Sequence, residues 1–218
     1  SAVGMDKLYT KIIVSDLGIR QAEYEAVYRE ELSAMDQVAE RIEKHFPYPV
    51  FIKPAGTGSS VGVSKAKNRE ALLAALTNAS KYDSKILVEE FINGREVEVA
   101  VLGNAGPAAS VCDSGTEFYD YDAKYISDCA QLYIPARIPE EVSERVRDNA
   151  IRIYEAMGCR GLSRVDFFVT YEGQEIVFNE INTLPGFTSI SMYPKLFEAS
   201  GIPYPELLDN LIELALED

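Results

Sequence analysis

The sequence predicts an α+β fold with antiparallel sheets, divided into two subdomains. Three loops join one extended segment directly to the next, which favours hairpins over the long helical crossovers that parallel strands need. These loops are the glycine-rich segment from Lys53 to Gly62, the pair Asn93-Gly94 and the pair Glu172-Gly173. We place the division near Glu90-Phe91-Ile92, which gives subdomains over residues 1–90 and 91–218.

The first subdomain is predicted to contain a helix, a hairpin and a second helix. Apolar residues recur at helical spacing between Glu31 and Phe46. Val50-Phe51-Ile52 and Val61-Gly62-Val63 are extended segments on either side of the glycine-rich loop, and Asn68 can cap the helix that follows. The acidic run from Glu23 to Glu31 is predicted to be a solvated helix face.

The second subdomain is predicted to be richer in strands. Residues 85–91 and 96–102 flank Asn93-Gly94, which is the strongest short hairpin signal in the chain. A helix is expected from Pro139, a residue that suits a first turn, to the residue before Gly158. The remaining predicted elements are two strands over residues 162–170 and 175–181 and a final helix over residues 207–216.

Charge and composition argue against several classes of protein. The net charge of −14 argues against a nucleic-acid partner, because phosphate backbones are bound by fields of Lys and Arg. No apolar stretch reaches the roughly 18 residues of a membrane span, and the first residues do not begin a signal peptide. We therefore expect a cytoplasmic protein with no membrane partner. The missing initial Met predicts that the chain begins inside a longer protein.

The cysteines and the single histidine are expected to be structural or incidental. Cys112, Cys129 and Cys159 are odd in number and lack CxxC spacing, which argues against a disulfide framework and a zinc site. They are predicted to be thiols in a reducing compartment. His45 is expected at the surface, at the end of a helix.

The glycine-rich loop is a candidate phosphate site. Gly56 and Gly58 allow backbone N–H groups to approach a ligand, and Ser59 and Ser60 add hydroxyl donors. A Walker loop needs Lys directly after its last glycine, and a Rossmann loop needs a different glycine spacing, so this segment fits neither of these phosphate-binding motifs. The alternative is a plain mobile hairpin turn. Lys53, three residues before Gly56, favours phosphate.

Two predicted strands carry polar residues that suit a magnesium ion. Alternation places Arg164 and Asp166 on one face of their strand, and Glu180 and Asn182 on one face of theirs. Two carboxylates and a carboxamide oxygen are ligands that Mg²⁺ accepts. The alternative is a solvated sheet face. The turn Leu184-Pro185-Gly186 follows directly and could present an amide to an oxyanion.

The segment from Glu117 to Tyr125 has the composition of a lid. It is rich in aromatic residues, has few helix or strand signals and includes Lys124 beside Tyr125. The alternative is that its tyrosines pack on a sheet.

These segments, together with Lys7, resemble the D-alanine–D-alanine ligase family, and the resemblance runs from Met5 to nearly the end of the chain. It implies the ATP-grasp fold, in which two subdomains enclose a nucleotide cleft. It also implies that the chain corresponds to the central and C-terminal subdomains of the family, without the N-terminal domain that contributes to binding the first D-alanine.

The resemblance implies a role for each matching residue. For ATP, the phosphate contacts are Lys7, Lys53, Ser60 and Lys124, the adenine contacts Glu89, Glu90, Phe91 and Ile92, and the ribose contact Glu96. For two Mg²⁺ ions, or Mn²⁺, the ligands are Asp166, Glu180 and Asn182. For catalysis, Ser59 and Tyr125 latch the two loops, Lys124 approaches the γ-phosphate, and Arg164 and the Gly186 N–H stabilise the tetrahedral intermediate. For the second D-alanine, the contacts are Ser191 and Met192.

The implied function is ATP-dependent synthesis of D-alanyl-D-alanine for peptidoglycan precursors, through an acyl phosphate. ATP and D-alanine are the expected small-molecule partners, and the resemblance favours a homodimer for the longer protein. The alternatives are a ligase for D-serine or D-lactate, another ATP-grasp ligase, and a nucleotide-binding module without catalysis. A fragment that binds MgATP with little activity is also expected from the missing domain.

Overall fold

The computed structural model describes residues 2–58, 60–104, 110–117 and 131–217, and these residues divide into two units. The N-terminal unit comprises Ala2–Ile12 and Gln21–Ile92, and the C-terminal unit comprises Ile13–Arg20 and the residues from Asn93 onward. Within the described ranges, no helix combines the length and the hydropathy that crossing a bilayer would require.

Strands and helices alternate irregularly up to Ile92. The elements are α1 (Lys7–Asp16), β1 (Tyr24–Tyr28), a 3₁₀ helix (Arg29–Ala34), α2 (Met35–His45), β2 (Val50–Pro54), β3 (Ser64–Ala66), α3 (Arg69–Ala79) and β4 (Lys85–Glu90). The four strands form one antiparallel sheet in the order β1-β4-β2-β3.

The two faces of this sheet differ in chemistry. Val88 of β4 and Ile52 of β2 lie on the face where α2 and α3 contribute to one apolar core. The Asn68 side chain caps α3 by accepting a hydrogen bond from the Ala71 N–H at 2.9 Å, an interaction worth about 1 kcal/mol. On the other face, Glu89 lies opposite both Tyr24 and Phe51. This second face therefore presents charged and aromatic groups.

The C-terminal unit is built on a larger sheet. Its elements after Ile92 are β5 (Gly94–Asn104), β6 (Ser110–Glu117), β7 (Gln131–Tyr133), α4 (Glu140–Ala156), β8 (Arg160–Thr170), β9 (Ile176–Asn182), α5 (Met192–Ala199) and α6 (Tyr204–Leu216). The strands are antiparallel in the order β7-β6-β5-β8-β9. Helix α4 packs on one face through a core that includes Val146 and Ile153.

The opposite face of the larger sheet is half apolar and half polar. Ala100 and Leu102 of β5 lie in a core with residues of α5 and α6. The buried Tyr193 hydroxyl of α5 donates to the Val101 carbonyl at 2.9 Å. Glu96 and Glu98 occupy the same face of β5 nearer its start, because alternate residues of a strand share a face. The helices thus cover one half of the face, and the other half is charged.

Most of the predicted elements are confirmed. β2 and β3 pair antiparallel across the glycine-rich loop, and β8 and β9 pair across the Glu172-Gly173 turn. The strand predicted at Val61-Gly62-Val63 is misplaced, because these residues still belong to the loop and β3 begins at Ser64. Asn68 caps its helix, and the last helix is present. Pro139 lies at the N-cap of α4, one residue before the helix, and Gly158 follows its end with φ +60°.

The hairpin predicted at Asn93-Gly94 is wrong. β4 lies between β1 and β2 in the smaller sheet, whereas β5 lies between β6 and β8 in the larger one. A Cβ at Gly94 would lie 2.6 Å from the Val169 carbonyl oxygen of β8. This glycine is therefore explained by the close approach of two backbones and not by a tight turn.

The helix face predicted for Glu23 to Glu31 is also wrong. Tyr24–Tyr28 is an edge strand whose Val27 is fully buried, and the 3₁₀ helix follows it. The acidic side chains of Glu25 and Glu31 pair with Arg41 of α2. His45 lies in the last turn of α2, as expected, and its Nδ1 is 3.0 Å from Glu25 Oε2.

Cys159 is buried and forms no disulfide bond, and burial raises the pKa of its thiol. Cys129 and the side chain of Cys112 lie outside the described residues.

Candidate functional site

A buried carboxylate between two lysines is the centre of the charged face in the N-terminal unit. Glu89 of β4 is 3% exposed. Its Oε1 is 3.0 Å from Lys11 Nζ of α1, and its Oε2 is 2.6 Å from Lys53 Nζ of β2. Lys11 is 1% exposed and also donates to the Ala22 carbonyl at 3.2 Å. We call these three side chains the lysine–glutamate cluster.

The lysines keep the central carboxylate ionised. Burial opposes ionisation of Glu89, but the charges and hydrogen bonds of Lys11 and Lys53 outweigh burial and lower its pKa to about 2. Burial lowers the pKa of Lys11, and the attraction of Glu89 acts in the opposite direction. With two ammonium groups around one carboxylate, the cluster carries one net positive charge.

The glycine-rich loop lies next to Lys7. The Lys7 ammonium donates to the Thr57 carbonyl at 2.6 Å. Gly62 has a φ of +76°, and a Cβ there would lie 2.7 Å from both Pro54 and Tyr82. Only glycine satisfies both conditions without strain.

The backbone of the loop is constrained at Gly56 and at Ser60. The Gly56 N–H, which was expected to face a ligand, donates instead to Asp83 Oδ2 at 2.7 Å. Asp83 thus anchors the base of the loop. Ser60 has a φ of +56°, which is a left-handed conformation uncommon for a residue with a side chain. Ser59 lies outside the described residues.

The segment predicted to hold adenine combines buried and exposed groups. The Glu90 N–H donates to the Glu23 carbonyl at 3.0 Å, and a Glu90 carboxylate oxygen accepts from the Glu23 N–H at 3.0 Å. Phe91 is 38% exposed, and its ring stacks on Phe51 with 6.1 Å between centroids. Lys65 Nζ lies 4.2 Å from the centre of the Phe91 ring. This segment offers an aromatic surface beside a cation. Ile92, which follows, is half-buried.

In the C-terminal unit, three carboxylates form a row across three strands. Glu98 of β5 lies opposite Asp166 of β8, which in turn lies opposite Glu180 of β9. Residues directly opposite one another in antiparallel strands share a face. Arg164 lies opposite Asn182 in the neighbouring row. We call these five residues, taken from the two neighbouring rows, the carboxylate row.

One arginine and one amide bind the central carboxylate of the row. Arg164 donates to both oxygens of Asp166, from Nε at 2.8 Å and from Nη2 at 2.7 Å. Asn182 Nδ2 donates to Asp166 Oδ2 at 3.1 Å. Arg164 Nε is also 3.5 Å from Glu98 Oε2. The structure therefore brings together the four polar residues predicted from strand alternation, and adds Glu98.

The electrostatics of the row favour a further cation. Burial raises the pKa of Asp166, and the neighbouring Glu180 adds to that effect against the opposing charge of Arg164. Three carboxylates face one guanidinium, so the row carries excess negative charge. Within the ranges described, no three His, Cys, Asp or Glu side chains are arranged as a complete metal site. The oxygens of Asp166, Glu180 and Asn182 fit Mg²⁺ in kind, with phosphate oxygens needed to complete a shell.

The remaining predicted residues lie before Glu98 on β5 and in the segment that follows β9. Glu96 lies two residues before Glu98, opposite Phe168, and is half-buried. A Cβ at Gly186 would lie 2.7 Å from Ser191 Oγ, and that hydroxyl accepts from the Thr188 N–H at 3.0 Å.

Ser191 is the N-cap of α5, and Met192 is its buried first residue. The loop after β9 thus places Gly186 beside Ser191. Lys124 and Tyr125 lie outside the described residues.

Sequence reasoning missed two charged residues of these clusters. Lys11 follows Lys7 by one helical turn, but α1 was not predicted, so its position facing β4 was not apparent. Glu98 could have been found, because it alternates with Glu96 along β5 and therefore points to the same face.

Comparisons with known proteins identify relatives over nearly the whole chain. The family model described as D-ala D-ala ligase C-terminus matches residues 13–213. A D-alanine–D-alanine ligase from Acetivibrio thermocellus is 55% identical, with 100% of this chain and 59% of that protein covered. One from Pelodictyon phaeoclathratiforme is 53% identical, with 100% and 61% covered. The chain spans about three fifths of the length of these curated relatives.

Solved ligases have the same fold. A D-Ala:D-Ser ligase from Enterococcus faecalis superposes with a TM-score of 0.87 at 40% identity, covering 99% of this chain and 62% of that one. A D-alanine–D-alanine ligase from Coxiella burnetii superposes with a TM-score of 0.84 at 36% identity, covering 98% and 57%. This likeness confirms the predicted α+β, ATP-grasp fold. The match of the family model over residues 13–213 and the identities above 50% show that this chain belongs to the D-alanine–D-alanine ligase family.

Proposed function

We propose that the protein is an ATP-dependent ligase that joins two D-alanine molecules into D-alanyl-D-alanine for peptidoglycan precursors. The observation that carries the proposal is the identity of 55% over the whole chain to a D-alanine–D-alanine ligase. The two charged clusters support it, because one offers net positive charge and the other offers oxygen ligands with excess negative charge.

The reaction has two steps in this proposal. A carboxylate oxygen of the first D-alanine attacks the γ-phosphorus of ATP, and ADP leaves. The amine of the second D-alanine then attacks the carbonyl carbon of the acyl phosphate, inorganic phosphate leaves, and the new amide nitrogen loses a proton. Negative charge is redistributed over phosphoryl oxygens in the first step and builds up on the carbonyl oxygen in the second. Fixed positive groups are therefore what the barriers require.

The residues of the N-terminal unit are proposed to bind ATP. Lys7 and Lys53 are the cations beside the glycine-rich loop, and Ser60 lies within that loop. We assign these residues to the phosphates. The segment Glu89–Ile92 is assigned to adenine, since Phe91 provides an exposed aromatic ring there. In the C-terminal unit, Glu96 is assigned to the ribose hydroxyls.

The carboxylate row is proposed to hold the metal. Asp166, Glu180 and Asn182 would bind two Mg²⁺ ions, or Mn²⁺, which supply Lewis-acid stabilisation of phosphoryl oxygens. Arg164, which pairs with Asp166 and Glu98, is assigned to the oxyanion together with the Gly186 N–H.

The remaining assignments follow the family resemblance. Ser191 and Met192 are assigned to the carboxylate of the second D-alanine. Ser59, Lys124 and Tyr125 keep the loop-closing and phosphate roles that the resemblance implies.

D-Serine is the second candidate acceptor. The likeness to a D-Ala:D-Ser ligase at a TM-score of 0.87 favours it specifically. Both candidates use the same nucleotide chemistry and differ only in the second amino acid.

The proposal is tested by phosphate release from ATP with D-alanine as the only amino acid, using the full-length protein at varied Mg²⁺. Glu180→Gln keeps the shape of the side chain and removes the charge that offsets a divalent ion, so we expect a loss of turnover of at least about 100-fold. Glu172→Gln, on the exposed turn between the same two strands, is the matched control. Unchanged magnesium dependence in Glu180→Gln would contradict the metal assignment. Absence of dipeptide from the wild type would contradict the function.

A further inference from the structure

In the lysine–glutamate cluster, Lys11 is so deeply buried that direct contact with a ligand is not its obvious role. Lys11 is 1% exposed, and its ammonium lies 3.0 Å from Glu89 and 3.2 Å from the Ala22 carbonyl. The ring of Tyr24 lies 5.1 Å from the same nitrogen. These neighbours surround a side chain whose charge is costly to bury unless it is paired. The Lys11 ammonium therefore interacts with neighbouring groups of the protein and not with solvent.

Glu89 links this buried lysine to Lys53. One carboxylate oxygen faces Lys11, and the other faces Lys53 at 2.6 Å. Lys53 is 13% exposed, whereas Lys11 is 2% exposed at its side chain, so Lys53 is the lysine nearer to solvent. If Glu89 were paired with Lys53 alone, the two charges would cancel. A phosphate would then meet no net positive charge at this point of the face.

We propose that Lys11 is a positioning residue: it neutralises Glu89, so that Lys53 keeps one net positive charge for the phosphates of a nucleotide. Glu89 in turn fixes the direction of the Lys53 side chain. This inference rests on the proposed function, in which Lys53 binds ATP phosphates. It assigns to Lys11 an electrostatic effect on an anionic ligand that Lys11 does not itself contact.

The charge of the cluster can be varied in steps with near-isosteric substitutions. Lys11→Met removes the net charge, and Glu89→Gln raises it from one to two positive charges. The double variant Lys11→Met/Glu89→Gln restores a single positive charge with both buried charges removed. Replacing both members of a buried ion pair is tolerated better than breaking the pair. If Lys11→Met alone does not fold, the double variant can therefore still be used to test the inference.

The readout is the ratio of two dissociation constants, adenosine over ADP, measured by calorimetry on the full-length protein without metal. Adenosine lacks phosphates, so its affinity reports general damage to the fold and to the adenine contacts. The ratio isolates the phosphate contribution. Lys11→Arg, which keeps the charge, and Lys44→Met, which removes a lysine from the last turn of α2, are the controls.

We expect the ratio to follow the charge of the cluster. Lys11→Met should lower it at least about tenfold, as expected for the loss of one unit charge that lies within about 12 Å of the phosphates at an effective dielectric constant near 20. Glu89→Gln should raise it, and the double variant should return it to the wild-type value, as should Lys11→Arg. A ratio that stays constant across the series, while both affinities fall together, would overturn the inference and leave Lys11 as a core residue. Failure of the wild type to bind ADP would instead overturn the proposed function and the inference with it.

Discussion

Glu89 shows how one side chain can be read incompletely from sequence. The family resemblance implies a role with adenine for this residue, and the structure places its carboxylate between Lys11 and Lys53. These lysines lower its pKa to about 2, against the opposing effect of burial. A carboxyl group whose folded pKa is lowered contributes stability above its unfolded pKa and loses that contribution as the pH falls towards its folded pKa.

Glu89→Gln is therefore predicted to change the pH dependence of stability. The ordinary pKa is 4.5 and the folded value is about 2, so ionised Glu89 contributes about 3 kcal/mol above pH 5 that is lost between pH 4.5 and 2. The difference in free energy of unfolding between wild type and variant should shrink over that window. Urea unfolding at pH 7, 5 and 3.5 measures it, with the exposed Glu144→Gln as control. A difference that stays the same at all three values would show that Glu89 is not held by the lysines.

At the scale of elements, the glycine-rich loop depends on one glycine more than on the others. Gly62 has a left-handed backbone, and a Cβ there would lie 2.7 Å from Pro54 and Tyr82. At Gly58 an added Cβ would lie more than 4 Å from every atom of the described residues other than its chain neighbours. The two positions lie in the same loop, so they form a matched pair that differs in backbone conformation and in the space around an added Cβ.

Gly62→Ala is predicted to lower the free energy of unfolding by about 1–3 kcal/mol, because it combines an unfavourable φ with two collisions. Gly58→Ala should leave stability within about 0.5 kcal/mol of the wild type. Thermal and urea unfolding of both variants measure this difference. Equal losses in the two variants would mean that the loop does not hold the conformation described.

Strand alternation predicts which polar residues of β8 and β9 share a face, but it does not predict the register in which the two strands pair. Arg164, Asp166, Glu180 and Asn182 were placed on shared faces from sequence, and the antiparallel pairing of β8 with β9 brings them together. The register shifts just after Asp166, which lies opposite Glu180 while Phe167 lies opposite Phe178. Such shifts arise from packing between strands and leave no period-2 signal.

Tertiary pairing also explains the errors. The Asn-Gly pair at residues 93–94 predicted a local turn, whereas the neighbouring strands find their partners in different sheets. The burial of Lys11 depends on Glu89, which is distant in sequence and faces it only after β4 has paired. Sequence patterns report local periodicity, and they cannot report which distant charge will neutralise a buried one.

At the scale of the whole molecule, the proposed binding of an anionic nucleotide by a strongly acidic chain requires local arrangements of positive charge. The net charge of −14 leaves no general attraction for ATP. The lysine–glutamate cluster carries positive charge on one face of the smaller sheet, and Lys7 lies beside the glycine-rich loop. The carboxylate row carries excess negative charge on the larger sheet.

The protein is predicted to prefer D-alanine as acceptor at pH 7. A hydroxyl acceptor such as D-lactate must lose its proton, and a phenol such as Tyr125, with a reference pKa near 10, is a poor base at that pH. D-Serine has the amine of D-alanine and one added hydroxyl, which a pocket shaped for a methyl group rejects by only about 100-fold. We therefore expect D-alanyl-D-alanine to predominate, D-alanyl-D-serine to be a trace product and D-alanyl-D-lactate to be negligible.

The measurement is a competition between equal concentrations of the three acceptors, with products identified by mass. Raising D-serine to about a 100-fold excess should make the two dipeptides comparable if the pocket discriminates only by the added hydroxyl. Tyr125→Phe, which keeps the ring, should lower turnover without creating D-alanyl-D-lactate. Predominance of D-alanyl-D-serine at equal concentrations would move the protein to the second candidate function, whereas predominance of D-alanyl-D-lactate would contradict both. Either result would leave family membership standing, because it rests on the match along the chain and not on the acceptor.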